Sequence, residues 1–112
     1  MLSIFETASH VYQNLTPTQF AAGMRLPGSL LIDVRRPDEF TAGHLPGARN
    51  IDITHVDFAK RIAALDNTRA VYVYCRSGAR SATAAKQLGT VGFEQVFNLG
   101  GGLLEWPSQL AR

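Results

Sequence analysis

The chain has 112 residues, 46% hydrophobic and 18% charged, which suits one soluble globular domain spanning 1–112. Its net charge of +2 comes without a Lys/Arg run or a basic aromatic stripe, and no window approaches the ~20 apolar residues of a spanning helix, so neither nucleic acid nor a membrane is expected as partner. One cysteine excludes an internal disulfide and a cysteine-based zinc site; His10, His44 and His55 lack metal-ligand spacing, and no metal is expected.

Residues 1–10 are mixed in character and form an N-terminal extension assigned to no element. Val11, Tyr12, Gln13, Asn14 and Leu15 allow a short first strand. Thr16-Pro17-Thr18-Gln19 is a helix start, with Thr at the N-cap, Pro at the first helical position and Gln three residues after the cap. That helix carries Phe20, Ala21 and Met24 and ends before Pro27-Gly28. Leu30-Leu31-Ile32-Asp33-Val34 reads as an apolar strand with one carboxylate near its end. Strands this continuously apolar belong to parallel sheets covered on both faces.

A short helix follows in the charged stretch from Arg35 to Phe40, where Arg35 and Glu39 stand four apart and are expected to pair. Gly43-His44-Leu45-Pro46-Gly47-Ala48 is a turn, with His44 as a hydrogen-bonding member, and Arg49-Asn50-Ile51-Asp52 reads as an edge strand. Thr54 opens a second helix, with Asp57 completing an imperfect capping box. Phe58, Ile62 and Leu65 give it one buried face. After Asp66-Asn67-Thr68 come the strand Val71-Tyr72-Val73-Tyr74, a loop, and a helix through Leu88 with Gly89 as its C-cap. A last strand at 95–99 leads into Gly100-Gly101-Gly102, a tight turn, and a final helical turn through Trp106. Tyr72 and Trp106 are assigned to the core.

Alternating strands and helices predict an α/β fold, a mostly parallel sheet with helices on both faces. Ligands of such sheets bind beyond the carboxyl ends of the strands. The lone cysteine lies at such an end, in Cys75-Arg76-Ser77-Gly78-Ala79-Arg80-Ser81, between the fourth strand and the following helix. A lone cysteine is ordinarily a small buried hydrophobe. Here small residues let the backbone curl, so that N–H groups and the helix N-terminus form an anion cradle, and Arg76 and Arg80 add full charges. Such surroundings lower a cysteine pKa from about 8.5 into the range of ~3.5–7.5, which makes Cys75 a nucleophilic thiolate. With no export signal visible, a reactive thiol points to the cytoplasm.

Three segments resemble single-domain rhodaneses, the thiosulfate sulfurtransferases. They are Leu31-Ile32-Asp33-Val34-Arg35 running on through Glu39-Phe40 and Gly43-His44-Leu45-Pro46-Gly47-Ala48 to Asn50-Ile51, the Tyr74-to-Ser81 loop, and Asn98-Leu99-Gly100-Gly101-Gly102 with Trp106. Leu45 in place of a more usual Ile, and Pro107 directly after Trp106, depart from the pattern. The resemblance implies a rhodanese-like five-stranded parallel sheet flanked by helices. It also implies double displacement: Cys75 takes the outer sulfur of thiosulfate as a persulfide and passes it to cyanide, a thiol or a protein cysteine, for instance of a thioredoxin-like partner. No cofactor is implied.

Arg76, Ser77, Gly78, Ala79 and Arg80 form the expected substrate-binding loop, with Asp33 and Arg35 in support. Arg76, nearer the mouth, is expected to bind donor oxyanion, and Arg80 to fold back onto a carboxylate such as Asp33. One alternative is a persulfide carrier that relays sulfur to a protein partner. The other is a cysteine-dependent phosphatase, whose loop ordinarily places its arginine six residues after the cysteine; here Arg80 is five after Cys75.

Overall fold

A computed structural model describes residues 12–112; the N-terminal extension and Val11 lie outside the described residues. Five strands, β1 (Gln13–Leu15), β2 (Leu30–Asp33), β3 (Arg49–Asn50), β4 (Val71–Tyr74) and β5 (Val96–Leu99), form one sheet in the order β1-β5-β4-β2-β3. Every neighbouring pair is parallel. The helices are α1 (Pro17–Met24), α2 (Pro37–Ala42), α3 (Phe58–Ala63) and α4 (Ala79–Thr90), and a 3-10 helix covers Gly102–Glu105. No helix among the described residues is long and apolar enough to cross a membrane.

The two central strands explain the layering. In β4, Val71 and Val73 face one side with Cys75 beyond them, while Tyr72 and Tyr74 face the other; in β2, Leu30 and Ile32 oppose Leu31. The aliphatic side packs against Phe58 and Ile62 of α3 and Ala84, Ala85 and Leu88 of α4. Alanines let α4 approach the sheet closely. The aromatic side packs against α1 through Phe20, whose ring meets Tyr72, Tyr74 and Trp106 edge-on at centroid distances of 5.4, 6.4 and 6.2 Å. Both faces are therefore covered, as the apolar runs predict.

The expected cap of α1 is present: Gln19 N–H donates to Thr16 Oγ1 at 3.2 Å, and Thr16 N–H to Gln19 Oε1 at 3.0 Å. Several boundaries differ from the sequence reading: the edge strand stops at Asn50 rather than Asp52, the short helix runs Pro37–Ala42, and two helix ends shift for a visible local reason. The second amphipathic helix starts at Phe58 rather than Thr54, because the Asp52 carboxylate accepts from Thr54 N–H at 2.8 Å and from its hydroxyl at 2.7 Å. That Asx turn competes with helix and holds the preceding segment as turns. Nor does Gly89 cap α4. The helix continues through it to Thr90, and Gly92 takes the left-handed conformation with φ +103°. Phe93 N–H reaches Leu88 O at 3.2 Å and Gly92 N–H reaches Gly89 O at 3.1 Å, a Schellman ending whose apolar partners are the buried Phe93 and Leu88.

Phe20 is fully buried at the meeting point of three rings. Phe20→Ala is expected to lose about 3–5 kcal/mol of stability, read from the urea midpoint at unchanged m-value.

Candidate active site

β4 ends at the centre of the sheet, flanked by β5 and β2, so the residue after it emerges at the middle of the carboxyl edge. That residue is Cys75, with no exposed surface. Its sulfur accepts three hydrogen bonds: from Gly78 N–H at 3.1 Å, Ser81 N–H at 3.3 Å and the Ser81 hydroxyl at 3.3 Å. Burial pushes the thiol up. The Ser81 hydroxyl and the N–H groups of Ser81, Gly78 and Ser77 outweigh it, and the thiol ends below its ordinary value. The loop thus turns its hydrogen-bond donors onto the Cys75 sulfur, an arrangement that favours the ionised thiol.

Gly78 makes the curl possible. It precedes α4 with φ +98°, and a Cβ there would collide with the Gly100 carbonyl. The glycine turn after β5 therefore packs backbone to backbone on the cysteine loop. From it the 3-10 helix donates Leu103 N–H to Cys75 O and Leu104 N–H to Arg76 O, each at 3.0 Å. Asn98 of β5, almost wholly buried, bonds Asn14 Oδ1 at 2.9 Å and Gly78 O at 3.4 Å. The loop is clamped from three sides: by α4, by β5 and by the 3-10 helix.

The family model of the rhodanese-like domain matches residues 16–109. The chain belongs to the rhodanese-like family. It is 37% identical to the thiosulfate sulfurtransferase GlpE of Pseudomonas aeruginosa (strain LESB58) over 100 residues, 89% of this chain and 88% of that one. It is 39% identical to the uncharacterized protein YqhL of Bacillus subtilis (strain 168) over 112 residues, 96% of this chain and 86% of that one. Among solved structures, the rhodanese-like domain of an Anabaena sp. protein aligns with TM-score 0.72 at 27% identity, over 86% of this chain and 74% of that one. A Staphylococcus saprophyticus subsp. saprophyticus protein shares the fold with TM-score 0.76 at 22% identity, over 89% and 99% of the two chains.

Charge pairing in this rhodanese-like domain departs from the sequence expectation in two respects. Arg80 folds back as expected, but onto Glu39 of α2, not Asp33, through a two-pronged contact at 2.8 and 3.1 Å. Asp33 is already saturated: Arg35 Nε and Nη2 hold its carboxylate at 2.7–3.1 Å, and Arg35 N–H bonds Asp33 Oδ1 at 2.9 Å. Two residues apart on extended backbone, the two side chains share a side. The expected Arg35–Glu39 pair does not form. Arg35 precedes the N-cap Arg36 and so lies outside the helix, without i, i+4 geometry. Arg35 instead spans to Gly43 O at 2.6 Å, tying the end of β2 to the His44 turn, where His44 Nδ1 meets Phe40 O at 2.9 Å.

Arg76, Ser77 and Ala79 are exposed on the loop. Of the two loop arginines, Arg76 is the one without a carboxylate partner among the described residues. Ser81, to which the sequence reading assigned no role, touches the sulfur directly. The available signal was its place in the first turn of the helix that Cys75 introduces.

The Arg80 contact, ahead of the opposing effect of burial, holds the Glu39 carboxyl down at about 2, against an ordinary 4.5. A depressed acid contributes its stability above the unfolded value and loses it as pH falls through the folded one. Glu39→Gln is therefore expected to lower stability by about 1 kcal/mol at neutral pH, because the pair is partly exposed. In melting temperatures recorded against pH, the gap to the unsubstituted protein stays constant above 4.5 and closes towards 2.

Proposed function

We propose that this rhodanese-like domain is a thiosulfate sulfurtransferase working by double displacement through a Cys75 persulfide. The observation that carries the reading is the sulfur of Cys75, buried yet held by three hydrogen-bond donors as an anion would be. In the first step the thiolate attacks the outer sulfur of thiosulfate. The bond from that sulfur to the sulfonate breaks, its electron pair leaves with sulfite, and Cys75 carries a persulfide anion. In the second, an acceptor anion, cyanide or a thiolate, attacks the outer sulfur and Cys75 leaves as thiolate. Neither step moves a proton once the thiol is ionised, so no general acid or base is required.

A dianionic donor approaching a thiolate is repelled, and Arg76 at the loop surface, without a carboxylate partner among the described residues, offsets that charge. The Ser77 N–H adds to the donors that favour charge on the Cys75 sulfur. Arg80, bound to Glu39, braces the loop from behind. Asp33 and Arg35 neutralise each other and serve the loop only by fixing the end of β2 beside it. The acceptor in this reading is a thiol, small or carried by a protein of the thioredoxin type. The naming of the Pseudomonas relative supports the donor assignment.

Intact mass decides it. Incubation with thiosulfate is expected to add one sulfur atom, cyanide to remove it, and Cys75→Ser to abolish the gain. Gain from a persulfide donor but not from thiosulfate would make the protein a relay. Turnover of an aryl phosphate with no sulfur gain would make it a phosphatase. Arg76→Ala is expected to raise the KM for thiosulfate about tenfold, the loss of one charge-assisted hydrogen bond, with the melting temperature unchanged.

A further inference from the structure

We infer that the Ser81 hydroxyl is a catalytic group that drives discharge of the persulfide, by holding the charge that returns to the Cys75 sulfur when the acceptor attacks. The inference rests on the sulfurtransferase reading and adds to it an unequal role in the two half-reactions.

The geometry is specific. Ser81 is wholly buried in the first turn of α4, and both its N–H and its hydroxyl lie 3.3 Å from Cys75 Sγ. With Gly78 N–H at 3.1 Å, these donors converge on the inner sulfur. The hydroxyl is the one side-chain donor to this sulfur among the described residues. It is also the one contact that a point substitution can delete, since both N–H groups belong to the backbone. A hydroxyl donates to a charged sulfur far more strongly than to a neutral one.

The charge on that sulfur moves during turnover. In the free enzyme it sits on Sγ, where Ser81 reaches it. In the persulfide, Sγ is a neutral bridging atom and the charge lies one bond further out. Loading therefore moves charge away from Ser81, and discharge brings it back as the bond between the two sulfurs breaks and its electron pair stays on Sγ. A donor aimed at Sγ stabilises the discharge transition state relative to the persulfide. It gives loading no such help, and it makes the thiolate a slightly weaker nucleophile. Its service to loading is to keep Cys75 ionised.

Ser81→Ala separates these effects. Alanine suits a helix and leaves only a small void at this site. The charged side chains on the elements bordering Cys75 all remain: Arg76 on its own loop, Arg80 and Lys86 on α4, Asp33 and Arg35 at the end of β2, Asp38 and Glu39 on α2, and Glu105 on the 3-10 helix. Three measurements on the full chain are called for: the pH profile of iodoacetamide alkylation of Cys75, the rate of sulfur loading from thiosulfate, and the rate of persulfide discharge by cyanide, both rates taken above the thiol pKa. Loss of one hydrogen bond to a charged group is expected to raise the alkylation midpoint by about one pH unit and to slow discharge about tenfold. Loading above the midpoint is expected to stay the same or become faster, and Ser81→Thr to restore discharge.

A purely structural role for Ser81 would slow both half-reactions together and leave no such split. That outcome, or an unmoved alkylation midpoint, overturns the inference. If the unsubstituted protein takes up no sulfur from thiosulfate or a persulfide donor, the sulfurtransferase reading falls and the discharge role falls with it. The alkylation profile then still reports whether the hydroxyl holds the thiolate.

Discussion

A thiol sealed from water ionises readily only where hydrogen-bond donors replace the lost solvation, and the rest of this structure is arranged to supply them. Cys75 has no exposed surface, and burial by itself would keep its thiol protonated. Donors within 3.1–3.3 Å reverse that balance. They are fixed in place by the curl of the loop and the start of α4. The curl needs a residue without a Cβ at position 78, because the Gly100 carbonyl occupies the space a side chain would take.

The parallel sheet supplies the rigid frame. With β4 between β5 and β2, three strand ends converge on one edge, and each contributes something different. β4 delivers the sulfur. β5 delivers Asn98 and the glycine turn, whose following N–H groups take up the carbonyls of Cys75 and Arg76. β2 delivers Asp33 and Arg35, which neutralise each other in a buried pair and anchor the turn at His44. The core behind them is sorted by strand alternation, aliphatic and small on the α4 side, aromatic on the α1 side. The small residues let α4 sit close to the sheet, which brings Ser81 within reach of the sulfur.

The arginines illustrate how pairing assigns roles among chemically identical groups. Arg35 and Arg80 have carboxylates within reach inside the fold, so their charge is cancelled and their work is mechanical. Arg36 pairs with Asp38 on the surface, where the contact adds little. Of the two arginines after Cys75, only Arg76 has no carboxylate partner among the described residues. On the sulfurtransferase reading proposed above, a dianionic donor would meet that charge at the mouth of the loop.

By itself the sequence determined the alternating α/β order, the sheet buried on both faces, the cap of α1, and the cysteine cradle at a strand end. Each of these follows from local patterns: apolar runs, a Thr-Pro-Thr-Gln start, a glycine beside a cysteine before a helix. The same local reasoning placed the start of α3 at Thr54 and the end of α4 at Gly89. Both missed because a neighbouring group captured the backbone first, the Asp52 carboxylate in one case and the Gly92–Phe93 turn in the other. Only the tertiary structure decided which charges pair and which donors reach the sulfur. Glu39 and Arg80 lie 41 residues apart, and Asn98 meets Gly78 across 20. A charged side chain takes the partner that packing brings near, and sequence spacing on a single helix does not contain that distance.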